Sequence, residues 1–189
     1  MALQLYLFRH GETTWSLTGQ HTSRTDLPLT DQGEQDARRL ADRLRGVSFT
    51  HVLTSPRLRA RRTCELAGLG TGAVVEPDLA EWEYGDYEGL RSTEIQALRP
   101  GWSIYRDGCP GGESPEAVVA RFDRLLGRLR ALDGNIALFS HGHAGRVLAT
   151  RWIGLPVTAV QNFSLNPASL SILAYNQAVP VIVQWNLVP

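Results

Sequence analysis

An apolar run near the start of the chain ends abruptly in a charged and polar turn, and this junction constrains the fold strongly. Residues 5–8 are Leu, Tyr, Leu and Phe, and Arg9, His10 and Gly11 follow directly. A continuous apolar run is typical of a strand buried on both faces of a parallel sheet. Ligands of open α/β sheets bind beyond the carboxyl ends of such strands, so we expect Arg9 and His10 to lie at a ligand-binding edge.

The residue types at this junction suit a phosphate group. The guanidinium of Arg9 offers a rigid fork of donors that matches phosphate oxygens. The imidazole of His10 can act near pH 7 as a neutral nucleophile or as a proton carrier. Taken alone, the pair also fits a solvated strand end followed by a turn residue, so a second observation is needed.

That observation is a later apolar run that ends in the same way. Residues 136–139 are apolar, and Ser140, His141, Gly142 and His143 follow. Core packing does not explain two strands that each deliver a histidine to the same sheet edge. The two junctions together favour a functional site.

The composition limits the classes of protein that the chain can belong to. Its 189 residues predict a single domain, residues 1–189, and the formal net charge of zero argues against nucleic acid or an anionic membrane as partner. All 19 basic residues are arginine, which excludes Schiff-base lysine chemistry and a lysine-bearing P-loop. Cys64 and Cys109 form no disulfide framework or metal motif, which favours a reducing compartment. Because, in addition, no apolar stretch is long enough for a membrane span, we expect a cytoplasmic protein.

Hydrophobic periodicity predicts alternating strands and helices. We expect strands at 5–8, 50–54, 73–75, 135–140, 169–175 and 181–186, the last two at a sheet edge. We expect helices between Thr30 and Gly46, at 56–67 after a Ser55 cap, from Ser114 onward, and at 143–153. Segments 10–30 and 79–90 fit no period and are predicted as loops. This alternation predicts a three-layer α/β/α sandwich with a mostly parallel central sheet.

Four motifs in order resemble the histidine phosphatase superfamily, in its phosphoglycerate mutase-like branch, over the whole chain. They are Arg-His-Gly at 9–11, Ser-Pro-Arg-Leu-Arg-Ala at 55–60, Glu-Trp-Glu-Tyr-Gly at 81–85 and Ser-His-Gly at 140–142. The resemblance implies hydrolysis of small phosphomonoesters through a phosphohistidine, with no metal and no cofactor. It assigns the nucleophile to His10, the phosphoryl contacts to Arg9, Arg59 and His141, and the general acid to Glu81.

Within that superfamily, residues 15–30 are similar to sugar-bisphosphate phosphatases, and 80–85 with 108–114 to small bacterial acid phosphatases. The resemblance suggests Thr22, Ser23, Gly142 and Ser16 as substrate-binding residues. An acid carboxyl that must hold its proton suggests an optimum below neutral pH. An exposed edge strand would allow a homodimer without requiring one.

Other functions compete with this hypothesis. A phosphoglycerate mutase would share the catalytic residues, but Ser16 stands where cofactor-dependent mutases have Asn, and the segment from Gly85 to Ile136 is short. A non-catalytic phosphate- or phosphopeptide-binding module on the same fold is a second alternative. A nucleic-acid binder that uses the arginines of 57–62 is a third, weakened by the balanced charge.

Several residues have two interpretations at this point. His141 and His143 have the His-x-His spacing of some metal sites, although we interpret His143 as a helix-start residue near the pocket. We expect His21 and His51 to be structural or solvent-exposed. The aromatic residues Trp15, Trp82, Tyr84 and Tyr87 either line the pocket or pack the loops.

Overall fold

The computed structural model describes residues 2–189 and contains one six-stranded sheet flanked by helices. The strands are β1 (Gln4–Arg9), β2 (His51–Thr54), β3 (Val74–Val75), β4 (Asn135–Ser140), β5 (Leu170–Asn176) and β6 (Val179–Leu187). The α-helices are α1 (Thr14–Thr18), α2 (Asp31–Arg43), α3 (Leu58–Leu66), α4 (Ser92–Leu98), α5 (Ile104–Asp107), α6 (Pro115–Leu129) and α7 (Gly142–Trp152). Short 3-10 turns cover Pro77–Leu79, Gly85–Tyr87 and Val157–Asn162.

The sheet order β3-β2-β4-β1-β5-β6 places the first strand beside the fourth. Strands β1 to β4 are parallel, whereas β5 runs antiparallel to β1 and β6 runs antiparallel to β5. The parallel register pairs Arg9 with Ser140, so β1 and β4 end at the same level. The two predicted junctions therefore meet beyond the carboxyl ends of β1 and β4.

Alternating side chains of β1 fill the core on both faces of the sheet. Leu5 and Leu7 join the larger apolar cluster, which includes residues of α6 and α7, and Phe8 joins the smaller cluster with residues of α2 and α3. Phe8 stacks on Phe139 of β4, with ring centroids 4.5 Å apart. Two covered faces explain the unbroken apolar run. The expected α/β/α sandwich is confirmed.

The helix signals with a clear capping residue were correct. Thr30 caps α2 by accepting the N–H of Gly33 at 3.0 Å, and Ser114 caps α6 ahead of Pro115. The predicted apolar stripe of α6 is buried in full, as is the inner face of α7.

Other details differ from the expectations. Helix α3 begins after Arg57 rather than at residue 56, and the Ser55 hydroxyl accepts the Arg57 N–H at 3.3 Å while it also bonds His141. Of the last two strands, β5 lies inside the sheet and β6 lies at an edge, because β5 pairs with β1 on one side and with β6 on the other. Segment 10–30 contains the short helix α1, which is held by a reciprocal capping box between Thr13 and Ser16. Helices α4 and α5 were not predicted. No helix within residues 2–189 combines the length and apolarity that crossing a bilayer requires.

Candidate active site

The ends of β1 and β4 bring the two histidines of the sequence motifs together. The His10 and His141 rings have centroids 5.2 Å apart, and both side chains are buried. His10 follows β1 directly, and His141 is the residue before α7. The parallel register of two adjacent strands is thus the cause of this pairing.

Backbone contacts fix the orientation of the His10 ring. Its Nδ1–H donates to the carbonyl oxygen of Gly11 at 2.7 Å, which leaves Nε2 as the unprotonated nitrogen of the neutral ring. The Gly11 N–H donates to Thr63 at 2.9 Å, and a side chain at Gly11 would collide with the backbone of Gly33. Burial, reinforced by Arg59 and Arg9, holds the pKa of His10 well below its ordinary value. His10 is therefore neutral at physiological pH.

His141 lies behind His10 in a similar environment. Its Nε2 is 2.7 Å from the Ser55 hydroxyl oxygen. Burial is the main cause that lowers its pKa well below the ordinary range, and the neighbouring Arg59 adds to the effect. A neutral imidazole still carries one ring N–H, so in this position it can donate a hydrogen bond to an anion without becoming an imidazolium cation.

Two arginines approach the histidines, and backbone carbonyls hold both. Arg9 donates to the carbonyl of Leu165 and packs on Gly142, and burial lowers its pKa to about 10. Arg59 is fully buried and donates to the carbonyls of Thr22 and Thr25 at 3.0 and 3.1 Å. Within residues 2–189, no carboxylate forms an ion pair with Arg9 or Arg59, as every such pair involves other arginines. Both guanidiniums keep their charge available for an anion.

The carboxylate of Glu81 lies at the N-terminus of α7. It accepts N–H groups from Ala144 at 2.7 Å, from His143 at 3.1 Å and from Trp82 at 2.9 Å. The first helical turn offers unpaired N–H groups, which is why an acidic side chain is held there. Segment 79–90, predicted as a loop, therefore places the Glu81 carboxylate beside the ends of β1 and β4.

These groups surround a cavity of about 380 Å³. Of the predicted site residues, the ones that line it are Arg9, His10, Ser16, Thr22, Glu81 and Gly142. Arg59 and His141 do not line the cavity, and both are fully buried. The positive charge of Arg59 lowers the pKa of His10, and the His141 ring centroid lies 5.2 Å from that of His10. Ser23 does not line this cavity. Its N–H donates to the carboxylate of Glu88 at 2.8 Å, and its hydroxyl also bonds that group.

Two further cavity residues, His143 and Tyr84, agree with the expectation that His143 lies near the pocket and with the first of the two interpretations of Tyr84. The other cavity residues carried no clear sequence signal, namely Thr13, Gly19, Gln20, His21, Ser92, Tyr105 and Arg146. His21 was expected to be structural or exposed, and it is buried with its ring against Tyr84 at a centroid distance of 4.5 Å. Arg146 could have been found, because it follows Gly142 by four residues and so shares its helix face. Tyr105 and Ser92 come from short helices whose placement no motif predicted.

The cavity wall holds His143 through a tyrosine. Its Nδ1 lies 2.7 Å from the Tyr84 hydroxyl oxygen, and burial raises the Tyr84 pKa well above its ordinary value, so the hydroxyl keeps its proton. Burial also keeps the pKa of His143 well below its usual range. The part of the chain that the structure describes contains no cluster of His, Cys, Asp and Glu suited to a metal ion.

Comparison with known proteins places this geometry in a family. The model of the histidine phosphatase superfamily (branch 1) matches residues 5–188. The chain therefore belongs to the histidine phosphatase superfamily, and it is a phosphoric monoester hydrolase. The expected family, fold and enzyme class are confirmed.

Individual relatives narrow the comparison. The chain is 40% identical over 181 residues to an acid phosphatase of Mycobacterium tuberculosis, covering 93% of this chain and 88% of the relative. It is 39% identical over 183 residues to sedoheptulose 1,7-bisphosphatase of Saccharomyces cerevisiae, covering 80% and 68%. A probable phosphoglycerate mutase of Cronobacter sakazakii is 33% identical, covering 97% and 90%. A solved structure from Mycobacterium tuberculosis superposes with a TM-score of 0.93 at 36% identity, covering 98% and 97%.

Proposed function

We propose that the protein hydrolyses small phosphorylated metabolites in two steps, through a phosphohistidine formed on His10. The observation that carries this proposal is the fixed ring of His10. Its Nδ1–H is held by the carbonyl of Gly11, so Nε2 is the free nucleophile beside Arg9 and Arg59, neither of which forms an ion pair with a carboxylate of residues 2–189. A neutral nucleophile next to fixed positive charge suits attack on a phosphate dianion.

In the first step the lone pair of His10 Nε2 attacks phosphorus, and the bond between phosphorus and the ester oxygen breaks. We assign the non-bridging oxygens, where negative charge persists in the transition state, to Arg9, which lines the cavity, and to Arg59 and His141, which act from the buried layer next to His10. The carboxyl group of Glu81 gives its proton to the leaving oxygen, which departs as an alcohol. These roles leave His10 phosphorylated and Glu81 as a carboxylate.

In the second step a water molecule attacks the phosphohistidine. Glu81, now a carboxylate, removes a proton from that water as the phosphorus–nitrogen bond breaks. Inorganic phosphate leaves, His10 regains its lone pair, and Glu81 is again protonated for the next cycle. One carboxyl group at the cavity wall serves both steps.

The remaining predicted residues contribute to the walls that hold the alcohol part of the substrate. Ser16, Thr22 and Gly142 line the cavity beside His10. We assign Ser23 instead to the support of the loop, since Glu88 binds its N–H and Arg59 its carbonyl, at 2.8 and 3.3 Å. The relatives named as an acid phosphatase and a sugar bisphosphatase support a small phosphorylated metabolite as substrate.

The proposal also includes the cellular compartment and the oligomeric state of the enzyme. Cys64 and Cys109 are both free and buried, which is compatible with a reducing cytoplasm. The edge strand β6 exposes Val179 and Val183 and can pair with a second copy of the chain. Sedimentation of the purified protein tests the homodimer, and a single monomer mass at high concentration would contradict it.

The direct test replaces the nucleophile. We expect His10→Ala to abolish turnover of p-nitrophenyl phosphate, and we expect acid-labile, base-stable radiolabel on the wild-type protein after rapid quenching with a labelled substrate. His51→Ala, at an exposed position, is the matched control and should retain both signals. Turnover by His10→Ala would remove the proposed intermediate.

The role of Glu81 is tested by the choice of leaving group. Glu81→Gln should slow the hydrolysis of an alkyl phosphate far more than that of p-nitrophenyl phosphate, because nitrophenolate needs little protonation. Two equal losses would rule out the general-acid role. The comparison is internal to one variant, so a change in folding does not mimic it.

A phosphoglycerate mutase is the second candidate, because relatives carry that name at 33% identity. It would use the same phosphohistidine but return the phosphoryl group to another hydroxyl. The decisive measurement follows phosphoglycerate by phosphorus NMR. Release of inorganic phosphate supports the phosphatase, and movement of the phosphoryl group without release supports the mutase.

A further inference from the structure

A buried ion pair outside the cavity holds the segment that carries Glu81. Arg121 of α6 and Glu113 meet in a forked contact, with Nη2 to Oε2 at 2.7 Å and Nε to Oε1 at 2.8 Å. Their side chains are only 12% and 17% exposed, and neither residue lines the cavity. Because desolvation opposes the burial of both ions, the pair is better understood through the backbone that it organises.

Every N–H of the Arg121 guanidinium has an acceptor in the fold. Two of the five bind Glu113. Nη1 donates to the carbonyls of Asp78 and Ala80, each at 2.8 Å, and Nη2 also donates to the carbonyl of Glu81 at 3.5 Å. A guanidinium is planar and presents its donors in a fixed fork. Arg121 therefore binds three carbonyls between residues 78 and 81 in one rigid arrangement.

Glu113 binds the chain on the other side of Glu81. Its Oε2 accepts the Glu83 N–H at 2.9 Å, and its own N–H donates to the Glu83 carbonyl at 2.9 Å. The indole N–H of Trp82 donates to the Glu113 carbonyl at 3.0 Å. A side chain at Gly112 would meet the Glu83 carbonyl oxygen at 2.2 Å, so glycine is what permits this close approach. The two partners of one ion pair thus hold the backbone before and after Glu81.

The position of the Glu81 carboxyl group depends on this backbone. The carboxylate accepts the N–H groups of His143 and Ala144 at the start of α7, whereas the backbone is held from α6 through Arg121. A general acid must lie within hydrogen-bond reach of the leaving oxygen, and a displacement of about 1 Å can lower a rate about 100-fold. A loss of the backbone contacts would therefore affect proton transfer more than phosphate binding.

We propose that Arg121 and Glu113 are positioning residues for the general acid. They fix the backbone on both sides of Glu81, so that its carboxyl group reaches the leaving oxygen of the substrate. This role also accounts for segment 108–114, which brings Glu113 and Gly112 against the chain that follows Glu81. The inference rests on the proposed function, in which Glu81 protonates the leaving alcohol.

The experiment uses the ratio of kcat/KM for glycerol 2-phosphate to kcat/KM for p-nitrophenyl phosphate. The parameter kcat/KM covers the steps up to the departure of the alcohol, in which Glu81 acts as the acid. The alkyl ester needs that proton, whereas nitrophenolate leaves almost without it. We expect Arg121→Gln to lower the ratio about 10- to 100-fold. Glu113→Gln should lower it less, because an amide oxygen can still accept the Glu83 N–H.

Two control variants separate positioning from a general loss of stability. Leu40 of α2 is fully buried in the smaller apolar cluster, whereas Trp82 beside Glu81 belongs to the larger one. Leu40→Ala should therefore destabilise the protein and keep the wild-type ratio, since a ratio is insensitive to the fraction of folded protein. Arg121→Lys keeps a cation for Glu113 and should retain more of the ratio than Arg121→Gln.

A double variant tests whether Arg121 acts through Glu81. If it does, Arg121→Gln combined with Glu81→Gln should show the same ratio as Glu81→Gln alone, because the group that Arg121 positions is already missing. A further fall in the double variant would mean that Arg121 acts by another route, and it would overturn the inference.

The single variants decide the rest. A wild-type ratio in Arg121→Gln overturns the inference, as does an equal fall in Leu40→Ala. Where Arg121→Gln yields no folded protein, Glu113→Gln and Arg121→Lys serve instead, and wild-type ratios in both overturn it. The proposed function fails by separate results, namely turnover that persists in His10→Ala or a wild-type ratio in Glu81→Gln. If Glu81→Gln lowers the ratio and Arg121→Gln does not, only the positioning role is lost.

Discussion

The arginines at the sheet edge and those on the outer helices use the same side chain in opposite ways. On the outside, Arg128 of α6 pairs with Glu76 at 2.8 Å, and Arg151 of α7 pairs with Asp123 at 2.8 Å. At the sheet edge, the acceptors of Arg59 within residues 2–189 are all backbone carbonyls. A carbonyl fixes the direction of a guanidinium without neutralising it, whereas a carboxylate does both.

The difference shows how a chain with no net charge builds an anion site. All 19 basic residues are balanced by 19 acidic ones, yet the balance is uneven in space. Apart from the buried pair of Arg121 with Glu113, the ion pairs lie at or near the surface, and Arg9, Arg59 and Arg146 around the cavity have no paired carboxylate among residues 2–189. Burial adds a cost to each unpaired cation, which bound phosphate would offset.

The largest expected effect is the loss of an unpaired arginine. We expect Arg59→Gln to lower kcat/KM for p-nitrophenyl phosphate by about 10³-fold or more, because one guanidinium that stabilises transition-state charge is removed. Arg128→Gln, on the outer face, should stay within about twofold of the wild type. Steady-state kinetics on the folded fraction checks both. A loss below tenfold for Arg59→Gln would show that the two classes of arginine do not differ in function.

Arg121 has both a carboxylate and backbone carbonyls as partners. We expect its replacement to give the next largest effect, which is measured here on stability. Arg121 pairs with Glu113 at 2.7 Å, both side chains being more than four-fifths buried, and also donates to the carbonyls of Asp78 and Ala80 at 2.8 Å. Arg121→Gln leaves Glu113 without its partner and should lower the free energy of unfolding by about 3 kcal/mol. Urea denaturation measures it, with Arg124→Gln as the exposed control on the same helix. A loss equal to that of the control would contradict the importance of burial here.

The sequence predicted the parts of this site that depend on strands. The unbroken apolar runs at 5–8 and 136–139 predicted strands that are buried on both faces. Because paired parallel strands end on the same side of a sheet, this pairing places His10 and His141 together. Motif matching selected Arg59 from four neighbouring arginines, and the structure finds it buried while Arg61 is exposed. The pairing of the histidines follows from local sequence and one rule of sheet topology, whereas the choice of Arg59 followed from the resemblance to the family.

The sequence did not predict the outer wall of the cavity. Tyr105 and Ser92 come from helices of four and seven residues, which are too short to show a clear period. A serine before a proline favours a helix cap, and the Ser55 hydroxyl does accept the Arg57 N–H at 3.3 Å, but its contact with His141 was not predicted. Side-chain partners that are distant along the chain cannot be read from local propensity.

A smaller effect links the charged cavity to pH. His21 is buried there, and burial, opposed by Glu88 and aided by Arg146, lowers its pKa to about 4. Between pH 6.5 and 4 the unfolded chain binds a proton on His21 that the folded protein does not, so stability falls as pH falls through this window. At pH 5 the loss amounts to about 2 kcal/mol from this residue.

His21→Gln should therefore flatten the dependence of unfolding free energy on pH between 6.5 and 5, by up to about 1.4 kcal/mol per pH unit. His51→Gln, at an exposed position, reports the general effect of removing a histidine. Denaturation in urea at several pH values gives the slopes. Equal slopes for wild type and His21→Gln would show that the cavity does not hold this ring neutral.

The smallest effect is expected for a surface pair, and it completes the contrast between the two classes of arginine. The Arg128 side chain is 47% exposed and contacts both Glu76 and Asp78. Because solvent and salt screen such pairs, Arg128→Gln should cost less than about 1 kcal/mol, and the cost should shrink further in high salt. Urea denaturation at low and high ionic strength checks this. A loss as large as that of Arg121→Gln would mean that pairing with a carboxylate, rather than burial, governs what an arginine contributes to the stability of this fold.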